Sequence, residues 1–285
     1  LLETLPMVLN QGTGLTSIYQ PKSKSKTLPT SSYSFMGVHG SVAKKKDEES
    51  FCFHFSKQGY ITASMNYTLI NPQENDASFI LILSEIKHCI QKIKEETKKR
   101  KIHINRMALS GTSAGGHLAL LYAYKCTEES CIPLAFVAQR VGPVDLTQIF
   151  NFSANLIDSI HLTRKSGKVH PKEKELTQLI HAITGQEKVA AQLTDKQTID
   201  SLILLGSPIR YLNENSVPGV FAYGEKDMLI QLIHPTLLAN AYDSLKLPYE
   251  MILFPNSDHL LLDDPDCAKQ YIEKIESYAK EYFKL

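Results

Sequence analysis

The chain has 285 residues, 43% of them apolar, with 31 basic against 30 acidic side chains and a formal net charge of +1. That composition is ample for one sizeable core, and the near-neutral balance excludes the strongly basic field expected of a nucleic-acid-binding domain. No apolar run approaches the ~20 residues of a membrane-spanning helix, and Cys52, Cys89, Cys126, Cys131 and Cys267 are an odd number without framework spacing, which favours reduced thiols over a disulfide scaffold.

Taken in chain order, residues 34–38 read as a strand that runs into a His39-Gly40-Ser41 turn. Lys44-Lys45-Lys46 follows and, like Lys22, Lys24 and Lys26, reads as solvated loop; a functional reading would have these lysines attract acidic substrates such as uronate-containing glycans. A second strand is predicted at 60–66. The stretch 75–100 holds a long helix with Ile82, Ile86, Ile90 and Ile93 on one face and Lys98 to Lys101 at its end, where cations suit the helix dipole. Arg106 to Ser110 reads as a short buried strand and His117 to Tyr124 as a helix, separated by Gly111-Thr112-Ser113-Ala114-Gly115-Gly116. Another strand is predicted at 134–140. From Leu146 to Ser207 the alternation breaks down: Glu175, Leu176, Leu179, Ile180 and Ile183 mark a short amphipathic helix ended by Gly185, and an apolar stretch from Ile199 to Leu205 precedes Ser207-Pro208. This segment is read as a cap, or alternatively as helices that merely close the core. A strand at 217–223 leads into Gly224-Glu225-Lys226-Asp227. A helix marked by Leu229, Leu232, Ile233, Leu237, Leu238, Ala241 and Leu245 follows, then a strand at 249–254 and the turn-rich loop Pro255-Asn256-Ser257-Asp258-His259. Strands alternating with helices predict a single α/β domain over 1–285, a mainly parallel sheet covered on both faces, with 146–207 as an insertion.

Ser113 stands out because a serine on a tight strand-to-helix turn, with glycines two residues away on either side, is lifted clear of both elements as a nucleophile. The competing reading is a serine that caps the following helix. A serine hydroxyl is a weak nucleophile at neutral pH and needs a base, itself oriented by a third group. On a strand-turn-helix serine these follow in the order acid, then histidine, each after a late strand. Asp227 is therefore the predicted acid and His259 the predicted base, 32 residues apart, room for one helix and one strand. The rivals are Glu225 and Asp258 for the acid and His117, four residues after the serine, for the base. Attack on a carbonyl also needs donors for the developing oxyanion. The candidates are the backbone N–H of Ala114 and those of Gly40 and Ser41, with His39 as a support of their loop.

Together Val38-His39-Gly40, Ala63 to Tyr67 after Gly59-Tyr60, Gly111 to Gly116, Ser207-Pro208-Ile209, Gly224 to Asp227 and Phe254 to His259 resemble the α/β-hydrolase superfamily, and within it bacterial carboxylesterases and acetyl-xylan or feruloyl esterases. The resemblance covers most of the chain. It implies a serine esterase acting on short-chain carboxylic esters, possible acetyl or feruloyl groups on carbohydrates included, with Ser113, Asp227 and His259 as the triad and Gly40, Ser41 and Ala114 at the oxyanion site. Such esterases often carry several glycines where this chain has Gly40-Ser41. No metal or cofactor is implied, since zinc-type cysteine pairs, His-Glu-x-x-His, P-loop and dinucleotide fingerprints are all missing. The remaining expectations are a small-molecule ester partner, no nucleic acid, no membrane span, and a monomer or homodimer. The location expected is cytoplasmic, or exported with a signal peptide or anchor missing ahead of Leu1. A prolyl-oligopeptidase-like peptidase and a catalytically silent binding module are the alternatives on the same fold.

Overall fold

The structure is a computed structural model that describes residues 3–7, 16–20, 32–39, 45–70, 77–150, 154–168, 170–185 and 195–283, with side chains from Ser50 onward apart from Ala154. Its strands are β1 (Glu3–Met7), β2 (Thr16–Gln20), β3 (Ser32–His39), β4 (Ile61–Asn66), β5 (Ile104–Thr112), β6 (Leu134–Arg140), β7 (Gly219–Gly224) and β8 (Tyr249–Phe254). They form one sheet in the order β1-β2-β4-β3-β5-β6-β7-β8. β1 and β2 pair antiparallel, as do β2 and β4; every pairing from β4 through β3 to β8 is parallel.

Parallel pairing demands crossovers, and helices supply them: α1 (Lys45–Lys57), α2 (Phe79–Lys99), α3 (Ala114–Lys125), α4 (Ala154–Lys165), α5 (Pro171–Thr184), α6 (Lys196–Leu204) and α7 (Ile233–Leu245), while α8 (Pro265–Tyr282) follows the last strand. The two-residue period of the strands sorts the core into two layers. Met107 and Leu109 of β5, Val137 of β6, and Phe221 and Tyr223 of β7 join a cluster with α2, α3 and α7. Ala108, Ala138, Val220 and Ala222 from the same strands join Ile252, Phe254, α1 and α8 on the opposite face. Burial on both sides explains why these strands read as continuous apolar runs.

The six predicted strands appear as β3 to β8, and the isoleucine face of the long helix, Ile82, Ile86, Ile90 and Ile93, is buried in α2. Three differences have physical causes. Lys45 and Lys46 are not loop but the first turn of α1, a stretch of good helix formers whose Phe51 and Phe55 anchor it on the sheet. The helix expected from Leu229 begins only at Ile233, because the amides of Leu229 and Ile230 are turned onto the Asp227 carboxylate. Between β6 and β7 the described residues hold three α-helices, α4, α5 and α6, where two were legible. They share an apolar cluster of Leu146, Ile157, Ile160, Leu176, Ile180, Ile183, Ile199 and Ile203. Gly185 ends α5 at φ 69°, as its position predicts. No helix among the described residues is long and apolar enough to cross a membrane.

Candidate active site

In an open parallel sheet the crevice outside the carboxyl ends of the strands is where side chains from different loops can meet. β5 ends at Thr112 and α3 begins at Ala114, so Ser113 alone makes the turn, at φ 54° and ψ −121°. That conformation costs an L-residue about 1–3 kcal/mol and persists only where the surroundings impose it. Here the Ser113 N–H donates to the Arg140 carbonyl at 2.8 Å, while its own carbonyl accepts the His117 N–H at 2.9 Å. A Cβ on Gly111 would lie 2.3 Å from the Gly115 carbonyl oxygen, so the turn excludes any side chain there. The Ser113 hydroxyl makes no capping bond to α3; its Oγ lies 2.8 Å from Nε2 of His259.

The acid turn and the histidine loop are built back to back. After β7, the Glu225 N–H donates to the Phe254 carbonyl at 2.9 Å and the Lys226 N–H to that of Ser257 at 3.1 Å. A Cβ on Gly224 would sit 2.4 Å from the Asp258 carbonyl oxygen, so glycine permits this contact. The Asp227 side chain is 0% exposed, and its Oδ2 lies 2.7 Å from Nδ1 of His259, whose side chain is 21% exposed. Asp227 Oδ1 accepts the N–H groups of Leu229 at 2.8 Å and Ile230 at 2.9 Å. Burial alone would raise this carboxyl's pKa, but the bonds from His259 and the two amides outweigh it and hold the group below the usual carboxylate range. An ionised Asp227 can only accept, so in the neutral imidazole the proton sits on Nδ1 and Nε2 is the acceptor facing Ser113. Of the rivals, Glu225 and Asp258 are exposed, and the Asp258 carboxylate accepts the N–H of Leu260 at 2.8 Å.

His117, the rival base, is committed elsewhere. Its Nε2 meets the Gly206 carbonyl at 2.7 Å and its ring packs 5.1 Å from that of Phe79, so it ties α3 to the end of α6. Burial pushes its pKa down to about 4, against the opposing effect of the Gly206 bond. The folded value lies below the unfolded 6.5, so burying the neutral ring contributes stability that is complete above pH 6.5 and lost as pH falls toward 4. That contribution is on the order of 3 kcal/mol. The His117 ring proton shifts are expected to stay flat from pH 8 to 5 in NMR titration; a midpoint near 6.5 would refute this role.

Ala114 opens α3, so its N–H has no partner within the helix and lies at the positive end of the dipole, beside Ser113. Gly40 and Ser41 follow the carboxyl end of β3, which runs parallel to β5; both residues, and the side chain of His39, lie outside the described residues. Two features escaped the sequence reading. Asp264 gathers the histidine loop through Asn256 and Ser257, and its one local signal is its place before Pro265 at a helix start. His234, also buried, accepts the Val144 N–H on Nδ1 at 3.3 Å and so fixes the loop after β6 against α7.

The sequence profile of the BD-FAE family matches residues 16–242. The chain belongs to the BD-FAE family. The BD-FAE match takes in β2 through β7 and most of α7, and so Ser113 and Asp227, and stops short of β8 and His259. No curated protein matches the sequence. Among solved structures, this BD-FAE chain is similar to a carboxylesterase from Lactobacillus plantarum at 15% identity and a TM-score of 0.67, over 99% of this chain and 97% of that one. A truncated carbohydrate esterase from gut microbiota aligns at 16% identity and a TM-score of 0.65, over 95% and 91% of the two chains. Esterase 2 of Thermogutta terrifontis, phosphoramylated by tabun, aligns at 12% identity and a TM-score of 0.66, over 98% and 94%. At these identities the likeness is one of fold: this BD-FAE protein has the α/β-hydrolase fold that its motifs resembled.

Proposed function

We propose that this protein is a serine hydrolase that cleaves small carboxylic esters through an acyl-enzyme intermediate. The observation that carries the reading is the unbroken chain from Ser113 Oγ to His259 Nε2 at 2.8 Å and from His259 Nδ1 to Asp227 Oδ2 at 2.7 Å. Ser113 Oγ attacks the ester carbonyl carbon as its proton passes to Nε2 of His259. The oxyanion is held by the Ala114 N–H, with Gly40 and Ser41 as the further donors, and its collapse expels the alcohol, which takes the proton from Nε2. Water then attacks the acyl-serine with His259 again as base, and the acid departs. Asp227 stays ionised throughout and steadies the imidazolium. BD-FAE membership and the esterases among the structural neighbours support this chemistry, and the neighbour modified by an organophosphate supports an activated serine. The test is labelling by a fluorophosphonate probe with turnover of p-nitrophenyl acetate and butyrate: mass spectrometry should place the label on Ser113. A folded protein that neither labels nor turns over is a silent binding module.

The α4–α6 insertion serves in this reading as a cap beside the site, and acetyl or feruloyl groups on carbohydrates are the finer substrate proposal, supported by the carbohydrate esterase among the neighbours. Exposed apolar side chains flank the acid and the base in the chain, and in this reading they form the rim of the site. Met228 and Leu229 directly follow the acid, Leu260 and Leu262 follow the base, and these four side chains are between 68% and 79% exposed. Covering a methylene contributes ~0.8 kcal/mol, roughly fourfold in kcat/KM per added carbon. Rates on p-nitrophenyl esters should therefore rise from acetate to butyrate, and Leu260→Asp should cost roughly tenfold on butyrate while leaving acetate within about threefold. Equal losses on both esters would remove the rim from substrate binding.

A further inference from the structure

His259 is carried by the loop 255–264, between the end of β8 at Phe254 and the start of α8 at Pro265. No ladder or helix runs through this loop, and the Asp264 carboxylate gathers its two ends. Oδ1 of Asp264 accepts a side-chain N–H of Asn256 at 2.9 Å, and Oδ2 accepts both the backbone N–H of Asn256 at 2.9 Å and the hydroxyl of Ser257 at 2.7 Å. The Ser257 oxygen in turn accepts the Asp263 N–H at 3.0 Å. The two ends of the loop are thus tied together. On its other side the Ser257 carbonyl accepts the Lys226 N–H from the acid turn, at 3.1 Å. Asp264 precedes α8, where an aspartate ordinarily caps the helix, yet it makes no side-chain bond to the helix. The carboxylate's bonds to Asn256 and Ser257 all run into the loop. Both Asp264 and Ser257 are buried.

We propose that Asp264 is a positioning residue for the His259 imidazole: its carboxylate holds Ser257 against the acid turn, so that Nδ1 reaches Asp227 and Nε2 reaches Ser113 at the same time. This rests on reading Ser113, Asp227 and His259 as the reacting groups. The register is demanding, because His259 is two residues from Ser257 and the chain turns sharply just beyond it, with Leu261 at φ 55° and its N–H on the Asp258 carbonyl at 3.2 Å. Burial works against the Asp264 charge, but the bonds from Ser257 and Asn256 prevail and keep the group ionised at neutral pH.

The experiment measures kcat, KM and fluorophosphonate labelling rate on p-nitrophenyl butyrate from pH 5 to 9, with melting temperatures, for Asp264→Ala, Asp264→Asn, Ser257→Ala and Asp266→Asn. A misplacement of about 1 Å at a reacting group costs on the order of 10²-fold, so Asp264→Ala should lower kcat and labelling by about that factor with KM within about threefold. Asp264→Asn should recover to within about tenfold of wild type, because Asn256 can rotate its amide and accept from the new NH₂. Asp266→Asn, which removes an exposed charge two residues away, should stay within about twofold and so separates geometry from field. A folded Asp264→Ala protein with wild-type kcat overturns the proposal, as does an equal effect of Asp266→Asn. Should Asp264→Ala fail to fold, Ser257→Ala decides: kcat about tenfold lower at constant KM supports the role, and an unchanged kcat overturns it. A wild type that neither labels nor hydrolyses esters refutes the reading of Ser113 first, and this inference falls with it.

Discussion

Ser113→Ala should abolish fluorophosphonate labelling and lower kcat on p-nitrophenyl esters by on the order of 10⁶-fold, the loss seen when the nucleophile of a cooperating triad is removed. The fold should survive. The methyl group fits where the serine Cβ already lies, and the hydroxyl contributes no cap to α3, so its loss leaves no helix donor stranded. The strained φ of 54° remains, and the melting temperature should change by no more than a few degrees. A residual rate, on the order of 10³-fold over water, is expected from the oxyanion donors and binding alone. Single-turnover kinetics on p-nitrophenyl butyrate is the measurement. A variant that keeps more than about a tenth of the wild-type rate would remove Ser113 from the reaction.

Asp227→Asn should lower kcat by on the order of 10⁴-fold at neutral pH with little loss of stability, through a change of tautomer rather than of shape. The asparagine carbonyl can still accept the amides of Leu229 and Ile230, so the turn after β7 keeps its internal bonds. Its NH₂ then faces Nδ1 of His259, which must become an acceptor. The imidazole proton moves to Nε2 and points at the serine oxygen, where a lone pair is needed. KM should hold within a few-fold, since Asp227 is buried behind the histidine and does not meet the substrate. Glu225→Gln and Asp258→Asn, at the two exposed rivals, should leave kcat within about threefold, as befits solvated charges. Activity of Asp227→Asn within tenfold of wild type, or a collapse in either rival, would reassign the acid.

Much of this site could be read one segment at a time. Ser113 announces itself because the backbone conformation of a one-residue turn demands glycine at 111, and that requirement leaves a local trace in the sequence. The α2 stripe and the end of α5 at Gly185 were equally legible, since a helical period and a left-handed C-cap depend on neighbours within a few residues. The choice between His259 and His117 was of another kind. Chain order after a late strand already favoured His259, and what the structure adds is that the His117 ring is fastened to the Gly206 carbonyl, 89 residues away in the chain.

The same division holds across the molecule. Residue periodicity and turn chemistry alone point to the six strands of a mainly parallel sheet and to Ser113 on its turn, because each depends on local sterics and on which face of an element is apolar; the order in which acid and base follow that serine comes from the strand-turn-helix pattern. The sheet order β5-β6-β7-β8 decides which loops share a crevice, and hence that Asp227 and His259 close on Ser113 while Glu225 and Asp258 turn to solvent. These outcomes turn on contacts between segments far apart in the chain, whose free energy no short window of residues contains.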